Sequence, residues 1–143
     1  MNIRLIFLGK TRRAELRALL EDYVERIGRS CTVSVHELRA PAEQSLARVK
    51  ADTAAHWVLL DAGGKQLSSQ QFARWLGALR DRSTREIVFL CGDDFGFPDA
   101  IRARAQERIS LSTLTMPHEL ARVVLAEQIY RAFAILSGHP YAK

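Results

Sequence analysis

The sequence predicts a single α/β domain over residues 1–143, built on a mostly parallel sheet flanked by helices. Three observations carry this. Strand-like apolar runs alternate with stretches of helical period along the whole chain. Two of the runs, His56 to Asp61 (HWVLLD) and Glu86 to Cys91 (EIVFLC), are nearly continuous in apolar residues, as strands covered on both faces are. The length of 143 residues supplies one hydrophobic core without a disulfide or metal staple.

The elements follow in order. Ile3 to Leu8 reads as a strand ending at Gly9. Arg12 to Ile27 places Leu16, Leu19, Leu20, Tyr23, Val24 and Ile27 at helical spacing, and Gly28 stops the helix. Cys31 to Leu38 alternates apolar and polar residues as a strand does. Pro41 to Ala54 reads as a helix with Leu46 and Val49 inward. The strand His56 to Asp61 runs into a turn, Ala62 to Lys65. Ser68 or Ser69 then caps a helix carrying Phe72, Trp75, Leu76 and Leu79. The strand Glu86 to Cys91 is followed by the loop Gly92 to Pro98 and a helix to about Gln106. Ile109 to Met116 is short, apolar and rich in hydroxyls. Pro117 opens a last helix as its first residue, and that helix runs to about Ser137 through Leu120, Val123, Val124, Ile129, Tyr130, Phe133 and Leu136. Gly138 ends it, and the tail His139 to Lys143 remains.

Composition narrows the class. With 48% hydrophobic and 26% charged residues the chain is globular rather than disordered. No apolar run approaches the roughly 18 residues of a membrane span. The apolar run in MNIRLIFLGK is too short for a signal peptide, so a cytoplasmic protein without a membrane partner is expected. Lys and Arg number 21 against 16 Asp and Glu, a net charge of +5, and all but four of the bases are arginine. Arginine's planar donors suit phosphate, and a pI near 9.7 fits a nucleic-acid binder as well as a merely basic, solvated surface. Cys31 and Cys91 lie apart among apolar neighbours and read as buried, reduced thiols. No Cys/His cluster has metal-ligand spacing, so no metal is expected.

In a parallel sheet, ligands bind beyond the carboxyl ends of the strands, which points to the loops Leu60 to Lys65 and Cys91 to Pro98. Neither carries a known nucleotide fingerprint. G-x-x-x-x-G-K-[ST], G-x-G-x-x-G after a strand and G-x-S-x-G are all missing, against a P-loop ATPase, a Rossmann site and an α/β-hydrolase. Asp61 with Lys65 resembles a phosphoacceptor site, but the first strand ends in Gly9-Lys10-Thr11-Arg12-Arg13, which would hold no magnesium. The segment Ile109 to Pro117 has two readings: an edge strand, which spacing alone favours, or a pocket wall whose backbone bonds a flat ring. Glu127 and Arg131 stand four apart on the last helix, either as an ordinary ion pair or as part of a site. His118 is either a solvated residue at a helix start or a site residue. His36 and His56 read as structural.

The stretch Leu114-Thr115-Met116-Pro117-His118-Glu119-Leu120-Ala121-Arg122-Val123-Val124-Leu125-Ala126-Glu127-Gln128-Ile129-Tyr130-Arg131-Ala132-Phe133 resembles the signature of the ribosomal RNA large subunit methyltransferase H family. The tail His139-Pro140-Tyr141 agrees, as do Leu60-Asp61 with Gly64-Lys65, Ser68-Ser69, and Ile3 to Lys10. The resemblance covers the whole chain. It implies a SPOUT-class fold with a C-terminal trefoil knot, a homodimer, and S-adenosylmethionine as cofactor. It further implies methylation of N3 of a pseudouridine in a stem-loop of large-subunit ribosomal RNA, on the assembled ribosome. Carried over by motif, Leu60, Gly92, Leu111, Ser112, Thr113, Leu114, Thr115 and Met116 would hold the cofactor, which makes the hydroxyl-rich segment a pocket wall. Arg131, His139 and Tyr141 would act at the target base, the tail from a partner subunit.

Two positions depart from the family. The loop Gly92-Asp93-Asp94-Phe95-Gly96 has aspartate where the family has its second glycine, and Ala142 stands where histidine is usual. The rival to the enzyme is a non-catalytic RNA-binding module of the same fold with an eroded cofactor loop; a plain dimerisation module is a third reading. The basic helix from Arg12 to Arg29 is one candidate RNA face, diluted by Glu15, Glu21, Asp22 and Glu25.

Overall fold

The computed structural model describes residues 1–49, 51–93 and 96–142. Five strands, β1 (Asn2–Leu8), β2 (Thr32–Leu38), β3 (His56–Gln66), β4 (Glu86–Cys91) and β5 (Glu107–Ser110), form one sheet in the order β2-β1-β4-β3-β5. Every pairing is parallel. The helices between and after them are α1 (Ala14–Ile27), α2 (Ala42–Ala47), α3 (Ser69–Asp81), α4 (Asp99–Arg102) and α5 (His118–Ser137). A single 3-10 turn, Pro140–Ala142, follows α5.

The period of two along each strand divides the core into two layers. Ile3, Leu5 and Phe7 of β1, Val58 of β3 and Ile87 and Phe89 of β4 face α1, α3 and α5. Ile6, Trp57, Leu59, Val88 and Leu90 face the other way, onto Leu46 of α2 and Ile101 of α4. All six residues of β4 are buried, which is why its sequence shows no polar alternation.

Several local expectations shift. The helix expected over 41–54 is confined to Ala42–Ala47, with Leu46 buried and Val49 packed beyond its end. The helix expected to reach Gln106 closes at Arg102, because Gln106 is spent at the sheet: its side chain accepts from the Trp57 amide at 2.7 Å. Pro117 is the N-cap of α5 rather than its first helical residue. Leu19 and Leu120, though at helical spacing with the core positions, are exposed. Ser68, not Ser69, caps α3, in a reciprocal box with Gln71: the Gln71 amide donates to Ser68 Oγ at 3.1 Å and the Ser68 amide to Gln71 Oε1 at 2.8 Å. Gly138 closes α5 with φ 72°, the left-handed conformation that only glycine adopts freely. Both cysteines are free; Cys91 is buried and Cys31 half-buried, and burial pushes their thiols up to about 12 and about 11.

The turn expected at Ala62 to Lys65 is a bulge inside β3. Leu60 and Lys65 both pair with Ile109, so the four residues between them are looped out of the ladder and β3 resumes to Gln66. A Cβ on Gly64 would stand 2.7 Å from the Arg108 carbonyl carbon and 2.8 Å from the Ile109 amide, all backbone. Gly64→Ala must therefore push β3 and β5 apart, and overpacking of this kind costs about 1–3 kcal/mol. A lower urea midpoint at unchanged m-value is the expected result.

Candidate active site

The bulge of β3 and the carboxyl end of β4 open on a cleft of about 370 Å³. Leu60, Asp61 and Ala62 of the bulge line it, with Cys91, Gly92 and Asp93 at the end of β4 and Leu111, Thr115, Met116, His118 and Ala121 from the approach to α5. A recess of about 210 Å³ runs along Ser110 to Met116 and shares Leu60, Asp61, Ala62, Leu111, Thr115, Met116 and Ala121 with the cleft. The two readings of the hydroxyl-rich segment divide it between them. Glu107–Ser110 is an edge strand, and 111–116 leaves the sheet to form a wall. Ser112 shapes that wall: its carbonyl accepts from Ser110 Oγ at 3.0 Å and its Oγ from the Leu114 amide at 2.9 Å. Leu114 stands 76% exposed, an apolar side chain in solvent beside the recess.

The eight residues expected at the cofactor, Leu60, Gly92, Leu111, Ser112, Thr113, Leu114, Thr115 and Met116, all line the cleft or the recess. Cleft and recess together reach the volume of ordinary small-molecule sites. Their composition fits an adenosyl ligand: apolar side chains at Leu60, Leu111 and Met116 beside a run of hydroxyls and peptide groups. Asp61 is already engaged, accepting from the Gly63 amide at 3.1 Å and pairing with Arg102 and Arg108 at 3.1 and 3.3 Å.

The loop after β4 needs its glycines at two points. A Cβ on Gly92 would sit 2.8 Å from Gly96 Cα, and Gly96 itself has φ 74°. Asp94 and Phe95 lie outside the described residues. Asp93, the departure from the family pattern, pairs with Gly96, whose amide donates to the Asp93 carbonyl at 3.0 Å. Among the described non-glycine residues only Ser83 has a positive φ, so aspartate at 93 carries no left-handed strain.

Sequence reasoning missed Arg122. Its side chain is fully buried, and its guanidinium lies 4.8 Å over the Phe7 ring. From the first turns of α5 it donates to the Leu8 carbonyl at 2.6 Å and to Thr11 Oγ1 at 2.9 Å, and it stands 3.7 Å from Glu37. Its Nε has no hydrogen-bond partner among the described residues. Burial lowers its pKa, against the opposing pull of Cys91, Glu37, Glu119 and Asp93, yet an arginine stays charged. Glu119 ties the same loop from outside, accepting from the Arg12 and Arg13 amides at 2.7 and 3.0 Å. The one legible sign of this device was arginine amid the apolar run of α5.

The residues expected at the target base gather elsewhere. Glu127 Oε1 accepts from Arg131 Nε at 2.9 Å and Nη2 at 2.5 Å and from the Tyr141 hydroxyl at 2.8 Å. Tyr141 also bonds Tyr23 at 3.1 Å and packs edge-on against Tyr130. The Glu127–Arg131 pair is thus real and partly buried. Burial, with Tyr23 and Glu127, pushes the Tyr141 phenol well up. His139 is exposed and accepts from the Tyr141 amide at 3.1 Å. Arg131 is thirteen residues along α5 from His118, about 20 Å at the helical rise, so one chain does not bring Arg131, His139 and Tyr141 to its own cleft. His36, between Arg4 and Ser34, and His56, on Glu107 at 2.5 Å, lie away from the cleft. Among the described residues no group of three or more His, Cys, Asp or Glu could hold a metal ion, and no helix is long and apolar enough to cross a membrane.

Residues 1–142 match the family described as predicted SPOUT methyltransferase. Relatives named ribosomal RNA large subunit methyltransferase H match end to end. That of Solibacter usitatus is 41% identical over all of both chains, and that of Geobacter metallireducens is 39% identical over 99% of this chain and 98% of its own. This chain belongs to the ribosomal RNA large subunit methyltransferase H family. A solved structure, that of a probable methylase family protein from Haemophilus influenzae, shares the fold at a TM-score of 0.53 and 10% identity, over 96% of this chain and 66% of that one. Within the stretch that resembles the family's signature, Thr115, Met116, His118 and Ala121 line the cleft.

Arg122→Met keeps an apolar stem of similar length but removes the guanidinium over Phe7 and leaves the Leu8 carbonyl without its donor. A loss of about 1–3 kcal/mol in denaturant unfolding is expected, the cost of a buried unpaired polar group. The Arg12 and Arg13 amides, bonded to Glu119, hold the carboxylate's pKa below its usual value. The folded protein then binds that proton less readily than the unfolded chain. Its stabilisation is complete above the usual Glu range, near about 4.3, and is lost as pH falls through the lowered value. Hydrogen-exchange protection of the Arg12 and Arg13 amides should accordingly persist at neutral pH and fade in acid.

Proposed function

We propose that this protein transfers a methyl group from S-adenosylmethionine to large-subunit ribosomal RNA, at N3 of a pseudouridine, on the assembled ribosome in the cytoplasm. The observation that carries the reading is the convergence of all eight motif-assigned residues on the adjoining cleft and recess between the β3 bulge, the end of β4 and the start of α5. The C-terminal trefoil knot and the homodimer belong to the same reading. The homodimer gives a reason for the separation along α5: the tail of one copy would serve the cleft of the other.

S-adenosylmethionine supplies an already activated methyl on a sulfonium centre. What remains for the chain is to hold the two reactants in line and to keep water out. Leu60, Leu111 and Met116 would enclose the adenine, and the backbone of 111–116 would bond its edge. N3 of a uracil-type ring carries a proton near neutral pH and attacks only once that proton leaves. The Arg131 charge favours the deprotonated ring, as an opposite charge favours any anion. Glu127 takes Nε and Nη2 of Arg131, and no hydrogen bond among the described residues takes Nη1, which would meet the base with His139 and Tyr141 beside it. The backbone at Asp93, free of left-handed strain, supports the catalytic reading over a non-catalytic module with an eroded loop.

Calorimetric titration with S-adenosylmethionine, with S-adenosylhomocysteine alongside, tests the cleft; micromolar binding is expected. Methyl transfer to purified large subunits or ribosomes tests the substrate. Arg131→Ala should cut turnover by about a hundredfold or more, the scale for removing one group that stabilises developing charge, while cofactor affinity holds. Unchanged turnover would take Arg131 out of the mechanism.

A further inference from the structure

A second and larger cleft, about 1100 Å³, opens at the carboxyl ends of β1 and β2. It meets the cofactor cleft at Asp93, Gly96, Phe97 and His118, which line both. Three cations line it: Lys10 and Arg12 on the loop after β1 and Arg39 after β2. None of the three side chains makes an ion pair or hydrogen bond among the described residues, and Lys10, Arg12 and Arg39 are all exposed.

The loop carrying Lys10 and Arg12 is held by its backbone. The Gly9 amide donates to the Leu38 carbonyl at 2.8 Å, and the Thr11 amide bonds Glu37. The Arg12 and Arg13 amides are held by Glu119, the Thr11 carbonyl by Arg17 Nε at 3.0 Å, and the Thr11 hydroxyl by Arg122. Carboxylates beside arginines ordinarily take the guanidinium. Here Glu37 and Glu119 are spent on amides, and Glu37 is further offset by Arg122. The result is a fixed platform whose unspent valence is positive charge. Asp93 lines the cleft as well, at the border with the cofactor site.

We infer that this cleft is the seat of the RNA backbone, in which Lys10, Arg12 and Arg39 bind phosphodiester groups flanking the nucleotide that enters the cofactor cleft. The inference rests on the proposed function for the identity of the nucleic acid. Continuity with the cofactor cleft favours a strand running from one to the other, and three exposed guanidinium and ammonium groups on the loops that line the second cleft match the charge of successive phosphates. The carboxylate of S-adenosylmethionine is the other anion within reach, and the test separates the two.

The triple variant Lys10→Gln, Arg12→Gln, Arg39→Gln is compared with wild type by fluorescence anisotropy of a labelled large-subunit rRNA stem-loop across salt concentrations. Calorimetry with S-adenosylmethionine and a melting curve accompany it. A double variant, Arg82→Gln with Arg85→Gln, both exposed at the opposite end of the sheet, is the charge control. The slope of log affinity against log salt should shrink by about 2 for the triple variant, at roughly 0.7 per phosphate contact on a single strand, and stay unchanged for the control. Cofactor affinity should be unchanged and KM for large subunits raised. An unaltered slope in a folded triple variant, or an equal loss in the control, would overturn the inference; so would a parallel loss of S-adenosylmethionine affinity, which would assign the cations to the cofactor. Should the wild type neither bind cofactor nor methylate, the enzyme reading fails while the salt slope still decides whether these cations seat RNA.

Discussion

One buried guanidinium organises the functional end of this molecule. Arg122 enters from α5, crosses the Phe7 ring and terminates on Leu8 and Thr11, so the last helix is tied to the end of a central strand. A fully buried charge is tolerated only where hydrogen bonds and counter-charge meet it, and Leu8, Thr11 and Glu37 do so. Those partners also dictate what the first β–α loop can be. Its backbone is drawn inward, its carboxylate neighbours are used up, and its cations face the open cleft. The start of α5 is fixed by the same bond, and the segment 111–116 that leads into it becomes a wall instead of a slack connection.

The sheet order makes this arrangement possible. With β1 and β4 at the centre, the loops after β1, β3 and β4 open at one end of the sheet, where ligand sites of parallel sheets lie. The bulge in β3 adds to this by pushing Asp61 and Ala62 out of the ladder and into the cleft. Two clefts then share a border at Asp93, Gly96, Phe97 and His118. One is apolar and peptide-rich, the other cationic, as a flat cofactor ring and a polyanion would respectively require.

Much of this was legible in the residues. Continuous runs such as EIVFLC gave the buried strands because a two-faced strand has no solvent side to mark. The long apolar period gave α5. The end of α4 was not legible, because its apolar spacing continues past the point where Gln106 is recruited to the sheet. The β3 bulge read as a turn, since Ala62-Gly63-Gly64 has turn chemistry and only the pairing of both Leu60 and Lys65 with Ile109 reveals a strand that resumes. At the site, the eight residues singled out by the motif line either the cleft or the recess beside it. The platform around Thr11 stayed hidden, because it depends on carboxylates 26 and 107 positions away bonding amides, for which no local pattern exists.

The helix α5 is also a ruler. It holds the wall of the cleft at one end and the Glu127–Arg131–Tyr141 cluster toward the other, with a glycine cap fixing where the tail departs. Loops absorb an added residue with little consequence, but one residue inserted in an α-helix advances everything beyond it by about 1.5 Å and turns it by about 100°. Such a change would leave each end intact and spoil only their relation. Length variation in this chain should therefore be accommodated in the connections between elements, while the count of residues from His118 to Gly138 behaves as a fixed dimension of the catalyst.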